Sequence, residues 1–249
     1  PIATMVHTTH PTYIIDKVEL RSHYHYTMKT EHHNITVNEK SEVSSAWLIP
    51  EHYQSVLIIA HGAGNDMHSD YISFLHEQIA ERGILTIKFN FPYKQRGKKA
   101  PDRAPVLEAT WHAVIADVLA KSGCTTDQIF LSGKSMGGRY ASMVAHKYDN
   151  LGGLIFFGYP LHAPGKPDKA RFDHFAAVRC PLLFIQGTRD SLCKLDSLKP
   201  LLATLQPTPK LHIIEGGDHS FKVLKSLNRS VEEVLTEVAN VSIDWIDAL

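Results

Sequence analysis

The chain has 249 residues, with 26 Lys and Arg balanced by 26 Asp and Glu, so its formal net charge is zero. That balance argues against a strongly basic working surface, and neither bulk nucleic-acid binding nor attraction to an anionic membrane is expected. A hydrophobic share of 43% and a charged share of 21% exclude a disordered chain, and no apolar run reaches the roughly 18 residues of a spanning helix.

Residues 1–50 read as β-rich. Polar and apolar side chains alternate at Tyr13–Ile15, Asn34–Val37 and Val43–Leu48, a pattern that suits antiparallel strands with one wet face. Pro1 to Leu20 contain no continuous apolar segment of the secretory kind. Cys124, Cys180 and Cys193 are too few for a disulfide framework, so a cytoplasmic location is the expectation. Sixteen histidines are a high count, and six of them (His7, His10, His23, His25, His32, His33) fall early in the chain. No carboxylate or Cys cluster accompanies them at ligand spacing, so no metal and no cofactor is expected, and solvated strand residues are the better reading.

After Pro50 the pattern changes. Val56–Ala60 is a short continuous apolar run of the kind found in a strand covered on both faces, and similar runs recur at Ile84–Ile87, Ile129–Leu131, Leu154–Phe157, Leu182–Ile185 and Leu211–Ile214. Helical stripes lie between most of them: Tyr71, Ile72, Leu75 and Ile79; Leu107, Trp111, Val114, Ile115 and Val118; Met136, Tyr140, Met143 and Val144; and Val231 through Trp245. The alternation predicts an α/β fold, with a mostly parallel central sheet, helices on both faces and antiparallel N-terminal strands, in one domain spanning 1–249.

In such a sheet the reactive groups belong in loops at the carboxyl ends of the strands. Gly133-Lys134-Ser135-Met136-Gly137 follows one strand and opens a helix, which is the context a nucleophile elbow requires. The glycines leave room for a sharp turn that exposes the serine hydroxyl, and the Met136 amide sits at the helix start, where free N–H groups favour an oxyanion. His61-Gly62-Ala63-Gly64 follows another strand and offers a second donor, the Ala63 amide. Gly187-Thr188-Arg189-Asp190 supplies an acid to orient a histidine, and Gly216-Gly217-Asp218-His219 supplies the histidine on a loop whose glycines free it to swing toward the serine. A plain glycine turn, a helix cap or a salt bridge is the alternative for each piece. Together they stand in the order Ser135, Asp190, His219 expected of an α/β-hydrolase triad, and no acidic residue closely follows Leu154–Phe157 to compete with Asp190.

With these loops, Phe91-Pro92-Tyr93, Pro101-Asp102-Arg103, Gly158-Tyr159-Pro160-Leu161-His162 and Gly133 to Arg139 complete a set that resembles the α/β-hydrolase superfamily. Within it the chain is similar, over about residues 45–249, to small predicted hydrolases described as dienelactone-hydrolase-like. That group is related to a testis-expressed protein and to the hydrolase-like part of a chromatin-complex subunit. The resemblance implies an α/β-hydrolase fold and a Ser-His-Asp triad. True dienelactone hydrolases use a cysteine nucleophile, where this chain has Ser135.

The interval Gly158–Cys180 is short and rich in Pro, Gly and charge, so only a minimal cap and an open site are expected. Gly62, Gly64, Tyr93, Arg139 and Tyr159 are candidates to border the substrate, with packing the alternative for the two tyrosines. Lys94 to Lys99, with Arg103, Lys134 and Arg139, could line an anion-attracting cleft or form a solvated basic loop, and Cys193 reads as a small buried hydrophobe. The function expected is metal-independent hydrolysis of an ester, thioester or similar small acyl substrate. A scaffold with a vestigial triad and a short-peptide peptidase are the alternatives.

Overall fold

The computed structural model describes residues 27–249, so the strand expected at Tyr13–Ile15 and the histidines His7, His10, His23 and His25 lie outside the described residues. Strands β1 (Met28–Asn38) and β2 (Ser41–Pro50) form an antiparallel hairpin, with Ile35 facing Val43. Alternation in β1 leaves Ile35 buried and its neighbours wet, as an edge strand requires. His32 is exposed here, while His33 bonds Glu31 at 2.9 Å and packs edge-on to Trp47.

Six further strands, β3 (Val56–Ala60), β4 (Leu85–Phe89), β5 (Ile129–Lys134), β6 (Gly153–Phe157), β7 (Leu182–Gly187) and β8 (Lys210–Ile214), extend the same sheet in the order β1-β2-β4-β3-β5-β6-β7-β8. β2 pairs antiparallel with β4, and every pair from β4 to β8 is parallel. The continuous apolar runs are explained by the two-sided cover. Leu57 and Ile59 of β3 point to one face, onto helices α1 (Asp70–Ala80) and α6 (Val231–Asp247), while Val56, Ile58 and Ala60 point to the other. That second face carries α3 (Ala104–Ser122), α4 (Met136–Ala145) and α5 (Leu195–Leu202); the single turn α2 (Pro92–Gln95) lies beside β2.

Two elements depart from the pattern read in the sequence. The helix α5 carries Pro200 and buries only Leu198 and Leu202, too few apolar positions to make a stripe. The buried face of α4 is Gly137, Gly138, Ala141, Val144 and Ala145, whereas Met136 and Tyr140 are only partly buried. Small residues lie innermost because this helix approaches the sheet backbone. A Cβ on Gly137 would stand 2.6 Å from the Ala60 carbonyl oxygen and 2.7 Å from that of His61.

The connections leaving β3 and β5, adjacent strands, run to opposite faces: α1 follows β3 on one side and α4 follows β5 on the other. A crevice opens at such a switch point beyond the carboxyl ends of the strands. The interval Gly158–Cys180 adds one short 3-10 turn, Asp173–Ala177, which packs Phe175 against Phe156, Tyr159 and Phe184 on the sheet.

Candidate active site

β5 runs through Lys134, and α4 begins at Met136, so Ser135 makes the whole turn between them. Its backbone has φ 50° and ψ −112°, a conformation that a residue with a side chain rarely adopts. Glycines make the turn sterically possible. A Cβ on Gly133 would lie 2.4 Å from the Gly138 nitrogen, and one on Gly138 would lie 2.7 Å from the Gly133 carbonyl oxygen, so strand end and helix start touch backbone to backbone. The resulting knuckle leaves Ser135 partly open at the crevice.

His219 reaches Ser135 from the loop after β8. Its Nε2 lies 2.8 Å from Ser135 Oγ and its Nδ1 lies 2.7 Å from Asp190 Oδ2. A carboxylate oxygen only accepts, so Nδ1–H donates to Asp190 and Nε2 is left to accept from the serine hydroxyl. The Asp190 side chain is fully buried, while 23% of the His219 side chain is exposed. Leu192 N–H donates to Asp190 Oδ1 at 2.8 Å, and Gln186 Nε2 donates to Oδ2. Gln186 is itself buried and its Oε1 accepts from Tyr159 N–H at 3.0 Å, so the acid is held by a polar chain reaching into the sheet. Sequence reading missed Gln186. The available signal was one amide at the end of the apolar run Leu182–Ile185.

The His219 loop lies backbone to backbone against the Asp190 loop. A Cβ on Gly187 would meet the Gly217 carbonyl oxygen at 2.2 Å, and Arg189 N–H donates to that same oxygen at 2.8 Å. Gly216 N–H donates to Thr188 Oγ1, and Asp218 Oδ1 accepts from the amides of Ser220 and Lys222. Close backbone approach is what Gly187 supplies here.

Lys134, which could have lined a basic cleft or stood on a solvated basic loop, is buried under the same loop. Its Nζ donates to the His219 carbonyl oxygen and stands 5.6 Å from the centre of the Phe221 ring. Burial pushes its pKa down to about 8, against the opposing pull of the Asp190 and Asp218 charges. Of the other basic residues, Arg96 pairs with Asp102, Lys94 is 4.0 Å from Asp66, and Arg103 is exposed.

His61 anchors the loop after β3. It is wholly buried; its Nε2 accepts from Phe91 N–H at 3.1 Å and its Nδ1 donates to the Gly62 carbonyl at 2.9 Å. Burial pushes its pKa down to about 4, so the ring stays neutral, as two bonds of opposite sense require. Gly62 thereby lies beside the serine: a Cβ there would be 3.6 Å from Ser135 Cβ. Ala63 and Gly64, with φ 79° at the glycine, are exposed at the rim.

Tyr93 and Tyr159 are both buried, with their hydroxyls turned to the carbonyls of Gly62 and Arg171, and their burial is that of packing residues supporting the site. Arg139 lies one turn after Ser135 in α4, partly exposed, its guanidinium 5.2 Å from the Tyr140 ring centre. Cys193 is buried and its thiol pKa is pushed up to about 12 by desolvation, so it packs as an inert hydrophobe. Among the described residues, no group of three or more His, Cys, Asp or Glu is arranged to hold a metal ion.

The profile of a family described as an α/β hydrolase domain matches residues 53–247. Similar solved structures include a serine hydrolase homologue from Coxiella burnetii, at 20% identity over 88% of this chain and 98% of the other, with a TM-score of 0.67. A dienelactone hydrolase from Anabaena variabilis aligns at 20% identity, 89% and 98% coverage, and a TM-score of 0.68. A serine hydrolase without a lid from Xanthomonas campestris aligns at 22% identity, 86% and 94% coverage, and a TM-score of 0.65. At these identities the likeness speaks for the fold.

Proposed function

The chain belongs to the α/β-hydrolase domain family, and from that premise we propose that it is a metal-independent serine hydrolase cleaving esters, thioesters or similar small acyl substrates. The observation that carries this reading is the continuous hydrogen-bond chain Ser135–His219–Asp190, which starts at a strained, solvent-accessible serine and ends at a fully buried carboxylate.

His219 Nε2 takes the proton as Ser135 Oγ attacks the substrate carbonyl. Asp190 holds the ring in the Nδ1–H tautomer and stabilises the imidazolium that forms. The negative oxygen of the tetrahedral intermediate is received by the amides of Met136 and Ala63. The first of these belongs to the first residue of α4, where N–H groups have no acceptor within the helix. His219 then returns the proton to the leaving oxygen or sulfur, an acyl-Ser135 ester remains, and water attacks it by the same route in reverse. Small substrates suit an interval, Gly158–Cys180, that adds only one short 3-10 turn, Asp173–Ala177.

A fluorophosphonate probe with mass-spectrometric mapping tests the assignment. Label is expected on Ser135, and Ser135→Ala is expected to abolish labelling and to lower p-nitrophenyl ester hydrolysis by at least about 10³-fold. Label on another residue, or persistent label in the variant, refutes the nucleophile. Activity should also survive a metal chelator.

A further inference from the structure

Lys134 precedes Ser135 in the chain and bonds the His219 carbonyl oxygen in space, a link that the Ser135–His219–Asp190 chain does not itself require. The link is made at Gly158, the residue after β6. A Cβ placed there would lie 2.9 Å from Lys134 Nζ, 3.2 Å from the His219 carbonyl oxygen and 3.6 Å from His219 Nδ1. With φ 67°, Gly158 also adopts a backbone that side chains disfavour. Its bare Cα leaves the gap in which the ammonium meets the histidine backbone. His219 is thereby held at two points, its carbonyl by Lys134 and its Nδ1 by Asp190, and Nε2 is left toward Ser135.

Lys134 is only 8% exposed, and burying an ammonium is costly. Among the described residues its Nζ has one hydrogen-bond acceptor, the His219 carbonyl. The cost is offset by the charges of Asp190, on the loop after β7, and Asp218, on the loop after β8, and by the Phe221 ring. The other charged groups nearby, Asp70 at the start of α1 and Lys222 after the His219 loop, are exposed and opposite in sign. His61, on the loop after β3, is neutral, and His219 is the remaining titratable group. A methionine would fill a similar length without burying a charge, so packing alone does not account for a lysine in this place.

We infer that Lys134 is the positioning residue of the catalytic base: its ammonium fixes the His219 main chain so that the imidazole stays in line with Ser135, and full reactivity requires Lys134 to carry its proton. The inference rests on the serine-hydrolase reading above. A charge-assisted hydrogen bond is roughly twice as strong as a neutral one, and a reacting group displaced by about 1 Å costs about 10²-fold in rate. Burial brings Lys134 down to about 8, with Asp190 and Asp218 pulling the other way, so the ammonium is lost just above neutral pH. Loss of the proton also removes the attraction to the Phe221 ring.

The rate of fluorophosphonate labelling of Ser135, followed from about pH 6 to about pH 10, tests this, because it reads the nucleophile and its base in one chemical step. In the wild type the rate is expected to fall above about pH 8, by up to about 10²-fold. Lys134→Met is expected to label about 10²-fold more slowly at neutral pH and to lose the alkaline fall, since the titrating group is gone. Asp218→Asn keeps an oxygen to accept from the Ser220 and Lys222 amides but removes a negative charge near Lys134, so its alkaline fall should move to lower pH. Circular dichroism across the pH range establishes that each protein is folded, and the Asp218 variant decides the matter even if Lys134→Met unfolds. A wild-type rate that stays level above pH 8, a fall retained in folded Lys134→Met, or a fall unmoved by Asp218→Asn overturns the inference and leaves the enzyme reading standing. Absence of labelling in the wild type at every pH overturns both.

Discussion

Gln186 shows how a single side chain sets the quality of the site. Its amide donates to the same Asp190 oxygen that accepts from His219, and its carbonyl holds the Tyr159 amide. Gln186→Leu would leave the Tyr159 N–H buried without a partner and Asp190 Oδ2 with His219 alone. The expected loss of stability is about 1–3 kcal/mol, measured by urea unfolding. Because Asp190 keeps its bonds to Leu192 and His219, kcat should fall only about tenfold, far less than the roughly 10⁴-fold drop expected of Asp190→Asn, which upsets the tautomer. Equal losses from the two variants would mean that Gln186 does more than position the acid. Lys134 is a comparable case: the residue before the serine closes the site from beneath by bonding the His219 backbone, so one turn of chain positions both nucleophile and base.

At the level of the elements, α1 carries a group that ties stability to pH. His76 is 97% removed from solvent, at 3% exposure, its Nδ1 has no partner among the described residues, and burial pushes its pKa down to about 3, with Lys88 and His32 pushing the same way. The unfolded chain takes up its proton near pH 6.5, whereas the folded chain does not until about pH 3, so the unfolded state binds more protons in between. Stability therefore falls as pH drops from about 6.5 toward 3, at up to about 1.4 kcal/mol per pH unit for this group. His76→Leu keeps the volume and removes the titration. The difference in unfolding free energy between pH 7 and pH 5 should shrink by about 2 kcal/mol relative to the wild type. An unchanged difference would show that His76 does not titrate on unfolding. Helix α4 makes a separate point at this scale. Its apolar period was readable, but which face lay innermost depended on how closely its glycines let it approach Ala60 and His61.

For the molecule as a whole, the decisive feature is what the sheet leaves uncovered. Between Gly158 and Cys180 the chain adds only loops and one 3-10 turn, Asp173–Ala177. Apolar burial is worth about 0.8 kcal/mol per methylene where a covered channel receives a long acyl chain. Across p-nitrophenyl acetate, butyrate, octanoate and palmitate, kcat/KM should peak at the short esters and gain little beyond butyrate. A steady rise to palmitate would contradict an open site.

The sequence by itself determined the sheet, its two-sided cover and the triad candidates, because continuous apolar runs, 3.6-residue stripes and glycine-flanked reactive residues are local patterns with local causes. It could not show that Lys134 turns inward, that Gln186 braces the acid, or that Tyr93 and Tyr159 are packed away. Those outcomes depend on which residues from distant segments meet above the sheet. Distances of a few ångströms between backbones, such as Gly187 against Gly217, are set only when the whole chain closes.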